Sequence, residues 1–573
     1  MRGRDFARND RLPWLALFAV VIGVLSTIGA WVLLSMIRFF TQLFFFQRLS
    51  FDEVSPATNT LGAWVILVPA LGGLIVGLIA RYGSEKIRGH GIPEALEAIL
   101  FGKSRMSPKV AVLKPLSSGI VIGSGGPFGA EGPVIMTGGA VASLLAQAFH
   151  LTAAERKALL VAGACAGMTA VFGAPIAAIL LAVELLLFEL RPRSLLPVAV
   201  ACAVAGFLRP LWAPAAPLFP MQTPPVETLA IFSSIVAGLA SGGLSALMTR
   251  LLYWVEDGFE RLPLHWMWWP AIGGLVVGLG GWLEPRALGV GYDVIADLLA
   301  HHLLLSTVVA LLAVKAIIWA VALGSGTSGG VLAPLLMIGA GLGYLIGPWL
   351  PGGDPRLWAL VCMAATLGGT MRAPLMAILF AFELTGNSHA LLPLTLGCAT
   401  AYGFSVLVMP RSILTEKIAR RGLHVYREYG VDPLERSFVD EVMTRDVVAI
   451  PADMPIERAR QTFFGAHQAH RGYPVVDGET LVGLIRRDDF KDATEGHVRD
   501  LLHGVGPVAL LGETCRSVAA RMAATGVERL PVIDAQGSHA LVGIVSRSDL
   551  LDPARDTHED EMPRERFFGG SGA

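Results

Sequence analysis

Charge is what this sequence has least of. Only 16% of its 573 residues are Asp, Glu, Lys or Arg, against roughly a quarter in soluble domains, so much of the chain lies in lipid. The basic and acidic totals, 45 and 46, nearly cancel. With no basic stripe to follow a phosphate backbone, a nucleic-acid partner is excluded. Cysteine is scarce as well. Cys165, Cys202, Cys362 and Cys398 sit in apolar segments, Cys515 stands in the tail, and none is spaced for zinc or a disulfide framework. All five read as packing residues. No small-residue cleavage site follows the uncharged run Leu12–Ile37. At 26 residues it exceeds a signal-peptide core and reads as a retained membrane helix. Arg2, Arg4, Arg8 and Arg11 before it predict a cytoplasmic amino terminus by the positive-inside rule.

The charge that is present is unevenly placed. Residues 431–573 hold 40 of the 91 charged side chains, so a membrane body gives way to a polar tail near Gly422–Pro433. We expect a membrane domain over 1–425, a linker over 426–435, two small modules over 436–495 and 496–556, and a flexible tail over 557–573. The body is not a row of clean spans. Leu61–Ala80 carries Pro69 and Gly72-Gly73, and Ala111–Phe149 holds several glycines and prolines. Broken helices survive in lipid only where protein or a polar cavity satisfies the freed backbone groups. That points to a channel or transporter core rather than to an anchor.

Three motifs recur in the same order. Gly89-His-Gly91 is matched by Gly289-Val-Gly291 at an offset of 200. Gly123-Ser-Gly125 and Pro133 are matched by Gly324-Ser-Gly326 and Pro334 at 201, and Ala174-Pro175 with Glu184 by Ala373-Pro374 with Glu383 at 199. The body therefore holds two repeats, about 12–215 and 230–410, the arrangement that sets a substrate site at the repeat interface. Their relative direction is not visible in the residues, and an inverted pair is the working expectation. The tail is duplicated too. Tyr473-Pro-Val-Val-Asp477 with Leu481-Val-Gly-Leu-Ile485 resembles Leu530-Pro-Val-Ile-Asp534 with Leu541-Val-Gly-Ile-Val545, each unit reading as helix, strand, turn, strand. The fold class expected is an α-helical polytopic membrane protein with two internal inverted repeats of tilted and broken helices, followed by a C-terminal α/β pair.

The chemistry concentrates in Gly123-Ser-Gly-Gly-Pro-Phe-Gly-Ala-Glu-Gly-Pro133. Glycine lets backbone N–H groups approach a ligand, and the helix that can start near Val134 turns its positive end toward it. Glu131 is the single acid there, and a lone carboxylate in lipid is costly. A glycine-rich helix crossing with a snorkelling acid is the plainer alternative.

Taken together, these residues resemble the CLC chloride channel and transporter family followed by a pair of CBS domains. Gly89-His-Gly-Ile-Pro93, Gly129-Ala-Glu-Gly-Pro133 and Gly330-Val-Leu-Ala-Pro334 stand, in order, where that family has its three anion-site motifs. The match covers about residues 12–425. The resemblance implies chloride transport across a bilayer and a homodimer with one pathway per subunit. It also implies a bacterial inner membrane, with the amino terminus and the CBS domains cytoplasmic. It assigns anion contacts to His90, Gly91, Ile92, Gly129, Ala130, Gly132, Val331, Leu332 and Leu414, and it makes Glu131 the gate. As a carboxylate Glu131 competes with the anion; once protonated or swung away it leaves the site to chloride. Backbone amides and helix dipoles suit a spherical anion that has to be released again.

The sequence also departs from that family. His90 stands where serine is usual. A histidine there donates an N–H and, with a reference pKa of about 6.5, adds pH dependence; or it packs, neutral, against a carbonyl or water. Leu414 stands where a tyrosine commonly closes the central site, and it cannot donate. Leu185 stands where proton-coupled members carry an internal glutamate after the residue aligned with Glu184. Glu189, four residues on and so on the same helix face, either supplies that carboxylate or pairs at the interface with Arg191 or Arg193. Glu184 and Glu189 are thus the candidate proton pathway. These changes favour passive or weakly proton-coupled chloride conduction, with stoichiometric proton/chloride exchange as the alternative.

In the tail, Gly543-Ile-Val-Ser546-Arg-Ser-Asp549 carries the hydroxyl and acid with which CBS domains hold an adenine nucleotide, so Ser546 and Asp549 are candidate nucleotide contacts. The first module has Arg486 in place of the hydroxyl and keeps Asp489. A purely dimerising role is the alternative. No cofactor is required for transport. Ser124, His90 and Glu131 lack the nucleophile, base and orienter arrangement of a hydrolase, so no enzyme is expected. A CBS-gated cation transporter would need several acids around one cavity, and Glu131, Glu184, Glu189 and Glu383 are mostly far apart in sequence. Glu184 and Glu383, at equivalent repeat positions, read as caps or interhelix bonds.

Overall fold

The computed structural model describes residues 11–423, 425, 432–465, 472–490, 495–502, 504–534 and 539–552. Arg2, Arg4 and Arg8, most of the expected linker over 426–435 and the tail over 557–573 lie outside them. The chain divides near residue 428 into two compact units.

The first unit is helical. Its first set runs α1 (Leu12–Phe46), α2 (Leu67–Tyr82), α3 (Ile92–Leu100), α4 (Pro108–Gly123), α5 (Glu131–Gln147), α6 (Ala153–Phe172), α7 (Pro175–Leu181) and α8 (Pro192–Leu208). The second runs α9 (Ala230–Glu260), α10 (Trp269–Leu283), α11 (Tyr292–Ala300), α12 (Leu305–Gly324), α13 (Leu332–Ile346), α14 (Pro355–Met371), α15 (Pro374–Thr385) and α16 (Leu391–Val408), and α17 (Ile413–Arg420) follows. Local chemistry sets many of these ends. Proline opens α4, α7, α8, α14 and α15, where its missing N–H has no helical partner to lose. A Thr152–Glu155 capping box starts α6, and Gly173 at φ +68° ends it. Among the described residues, seven helical stretches are long and apolar enough to cross a membrane.

The two sets correspond helix for helix, and their direction is now visible. A Cβ on Gly73 of α2 would lie 2.1 Å from the Pro270 carbonyl oxygen of α10, and one on Gly274 would lie 2.3 Å from that of Pro69. One turn on, Gly77 faces Met267 and Gly278 faces Ile66. As one residue number rises its partner's falls, so the repeat mates α2 and α10 run antiparallel, packed through small residues. A membrane-crossing helix antiparallel to its own mate makes the repeats inverted. A second reciprocal pair repeats the symmetry. Glu184 accepts from the Leu375 and Met376 N–H groups (3.1 and 2.7 Å), and Glu383 accepts from those of Ile176 and Ala177 (3.0 and 2.8 Å). Each carboxylate caps the amino end of a helix in the other repeat.

The second unit is two modules of one topology. Strands β1 (Ile450–Pro451), β2 (Gly472–Asp477) and β3 (Thr480–Arg486) form one sheet; β4 (Ala509–Leu510), β5 (Arg529–Ile533) and β6 (Leu541–Ser546) form the other. In each the first pair is parallel and the second antiparallel, and the same irregularity falls in the middle strand, at Val475/Val476 and at Val532/Ile533. The modules exchange ends. Val439 and Met443 pack with Leu530 and Val545, whereas Val498 packs with Ile450 and Ile485. The amides of Val498 and Arg499, just past the expected boundary at 496, bond back to the Met454 and Ala452 carbonyls.

Candidate functional site

The site is built where α4 and α12 stop short and α5 and α13 begin. The two intervening loops meet across the pseudo-twofold axis. Gly129 and Gly330 exchange backbone hydrogen bonds, N to O, at 3.4 and 3.0 Å. The flanking loops cross in the same reciprocal way, Gly89 N–H to the Gly326 carbonyl and Gly289 N–H to that of Gly125. These contacts require glycine at Gly132: a Cβ there would lie 1.9 Å from the His90 carbonyl oxygen and 3.3 Å from the Gly330 Cα. The motifs at 89–93, 129–133 and 330–334 thus converge on one place.

Glu131 opens α5 and is fully buried. Its Oε1 accepts from the Ala333 N–H at 3.1 Å, and its Oε2 has no hydrogen-bond partner among the described residues. The carboxylate therefore sits at the amino end of α13, in the field that would hold an anion. Burying a carboxylate costs several kcal/mol, and here only part of that is returned by hydrogen bonding. The donor the carboxylate uses is Ala333, which follows Val331 and Leu332, the residues the resemblance gives as anion contacts.

The other expected anion contacts differ in what they have free. His90 is buried, and neither ring nitrogen has a partner among the described residues, so no backbone carbonyl holds it. The Gly91 N–H donates to Glu94 Oε2 at 2.9 Å at the start of α3, so in this structure that amide is held by a side chain. Ile92, Ala130, Val331, Leu332 and Leu414 are all buried. Leu414 lies in the first turn of α17, where the hydroxyl of Tyr253 donates to the neighbouring Ile413 carbonyl. A phenol is present near that turn, then, but it is spent on the backbone.

Two buried lysines escaped the sequence reading. Lys114 donates to the Ile87 and Gly89 carbonyls at 2.9 and 2.8 Å, and its repeat mate Lys315 donates to those of Ala287 and Gly289 at the same two distances. Each ammonium pins the loop that precedes a short helix. The signal was there, in two lysines 201 residues apart inside apolar helices. Beside the first loop a cavity of about 610 Å³ opens, lined by charges that include Arg88, Glu94, Lys417 and Arg421. Arg421 ties Glu94 (2.8 Å) to Glu97 (2.5 Å).

Glu184 caps α15 as described above. Glu189 accepts from the Ser194 hydroxyl at 2.6 Å and pairs with Arg191 at 3.7 Å. Leu185 is buried. In the second unit, Asp549 accepts from the Ser546 N–H at 2.8 Å, and the Ser546 and Ser548 hydroxyls are 2.7 Å apart. Asp489 accepts from the Arg486 N–H in the same way. Both acids close the turn after the last strand of their module.

Inverted helical repeats whose loops and helix starts converge on a buried carboxylate define a membrane transport core. Residues 72–406 match the family described as voltage gated chloride channel, and residues 439–496 and 507–555 each match the CBS domain. The chain belongs to this chloride channel family, the CLC proteins, and carries a C-terminal CBS pair. It is 30% identical over 412 residues to a putative chloride channel protein, ClcB-like, of Ralstonia nicotianae, covering 70% of this chain and 96% of that protein. The fold is that of a slow cyanobacterial Cl⁻/H⁺ antiporter, with TM-score 0.63 and 22% identity over 72% of this chain and 99% of that one. A eukaryotic CLC transporter matches along 93% of this chain and 97% of its own, with TM-score 0.60 and 19% identity. Members of the family are channels and transporters rather than enzymes, and the chain is an integral membrane protein.

Proposed function

We propose that the protein conducts chloride through the converging loops, passively or with weak proton coupling, and that Glu131 is its gate. The observation that carries the reading is the position of the Glu131 carboxylate on the Ala333 amide at the start of α13, where it occupies the field an anion would use. Protonation or displacement frees that amide for chloride. His90 supplies a further N–H, its ring nitrogens being buried and unpartnered, and Ile92, Gly129, Ala130, Gly132, Val331, Leu332 and Leu414 wall the site.

Weak coupling follows from what replaces the polar groups of an exchanger. Leu185 cannot carry a proton, Leu414 cannot donate to the anion, Glu184 is committed to the α15 amides, and Glu189 to Ser194 and Arg191. The protein works as a homodimer in the bacterial inner membrane, with its amino terminus and CBS pair cytoplasmic. The second CBS module takes an adenine nucleotide at Ser546 and Asp549: the Ser546 side chain is partly exposed, and the Asp549 Oδ2 has already fixed the turn. The test is chloride efflux from proteoliposomes with simultaneous proton recording. Efflux without proton movement supports the reading, and uphill proton movement driven by a chloride gradient would replace it with stoichiometric exchange.

A further inference from the structure

Tyr292 occupies a place that no anion motif claims. It is the first residue of α11, after Gly291 at φ +80°, and its repeat mate 200 residues earlier is Ile92. Where the first repeat presents an aliphatic side chain, the second presents a phenol. The ring is fixed edge-on by Phe172 and Phe219, each with centroids 6.2 Å away, and Phe172 in turn packs on Phe380 at 5.1 Å. Its hydroxyl is buried and has no hydrogen-bond partner among the described residues.

A buried hydroxyl left unpaired costs on the order of 1–3 kcal/mol and calls for a partner that is elsewhere in this conformation. One other buried atom has the matching need. Glu131 Oε2 is also buried and unpartnered, and both groups border α13: a Cβ on Gly291, next to Tyr292, would lie 2.0 Å from the Met337 Cε of that helix, whose Ala333 amide holds the carboxylate. A Tyr hydroxyl donates and a carboxyl oxygen accepts. Building on the gate reading above, we infer that Tyr292 is the hydrogen-bond donor that receives the Glu131 carboxyl group when it leaves the Ala333 amide. The phenol thereby stabilises the displaced gate, and so the conducting state, with Phe172 and Phe219 holding it in place. The charged groups around it are Glu131 on α5, Glu53 in the loop after α1, Asp293 on α11 itself and the Lys315 ammonium on α12. That ammonium lies 3.7 Å from where a Gly291 Cβ would be.

The test is a cycle of four full-length proteins in proteoliposomes: native, Tyr292→Phe, Glu131→Ala and the double variant. Chloride efflux is read from neutral to acid pH, and a thermal melt in detergent checks folding. Phenylalanine keeps the ring contacts and removes only the donor. In the native background Tyr292→Phe slows efflux roughly tenfold, the scale of one hydrogen bond to a charged group, and moves the rise in efflux to more acid pH. In the Glu131→Ala background, where no carboxyl group is left to receive, it changes neither. Equal slowing in both backgrounds would overturn the inference and make the phenol a packing group or a direct anion contact. No effect in the native background would overturn it as well. Failure of the gate reading looks different: Glu131→Ala would then keep the native pH dependence.

Discussion

Gly132→Ala tests the convergence of the three loops with one carbon atom. The added Cβ would lie 1.9 Å from the His90 carbonyl oxygen, roughly 1.5 Å short of ordinary contact. That oxygen belongs to backbone, not to the end of a flexible side chain. His90 is flanked by Gly89 at φ +83° and Gly91 at φ +92°, and the Gly91 amide is held by Glu94, so the loop cannot yield without breaking its cap. Overpacking of this kind costs about 1–3 kcal/mol, a factor of roughly 5 to 150 in an equilibrium. We predict that Gly132→Ala lowers chloride efflux from proteoliposomes by at least about fivefold while the protein stays folded. Gly243→Ala on α9, whose Cβ would meet nothing within 4 Å, is the control and conducts as the native protein does. Native efflux from Gly132→Ala would refute the close approach of α5 to the first anion loop.

The other predictions concern parts that hold the site. Lys114→Met leaves the Ile87 and Gly89 carbonyls without their ammonium. At about 1–3 kcal/mol per unsatisfied buried acceptor, less what is regained by no longer burying a charge, the variant melts at lower temperature. Lys315→Met melts lower by a similar amount, because its two bonds match in length; a melting point equal to native for either would contradict the role. In the second unit, burial pushes the Cys515 thiol up to about 11 and all five cysteines are buried. Because the thiolate is the reactive form, iodoacetamide at neutral pH leaves Cys515 unmodified in the folded protein and labels it after denaturation. Labelling of the native protein at Cys515, read by mass spectrometry, would show the second module's core to be open.

The repeat architecture was legible because offsets of 199 to 201 residues bring glycine loops, Ala-Pro steps and glutamates back in register. Equivalent positions announced the Glu184 and Glu383 caps, since a residue kept at both repeat positions is doing a job set by symmetry. The direction of the second repeat was not legible. It is a relation between α2 and α10 in space, set by which glycines their backbones cross at, and no local pattern encodes it. Which helix-start amide holds the Glu131 carboxylate was not legible, because such amides differ in aim and not in residue type. The engagement of the Gly91 amide was not legible for a related reason: it depends on the rotamer of Glu94. Tyr292 carried no signal at all, lying outside every motif. The pair of modules was plain from the duplicated strands, while the trade of terminal segments that completes each other's cores was not.

The central claim, that the Glu131 carboxylate blocks the anion's place at the start of α13, is tested most directly by chloride efflux from proteoliposomes of the native protein and Glu131→Ala across acid to neutral pH. A carboxylate that has to be protonated or displaced makes native efflux rise as pH falls. Removing it makes efflux faster at neutral pH and flattens the dependence. Slow, pH-dependent efflux from a folded Glu131→Ala protein, indistinguishable from native, would contradict the account.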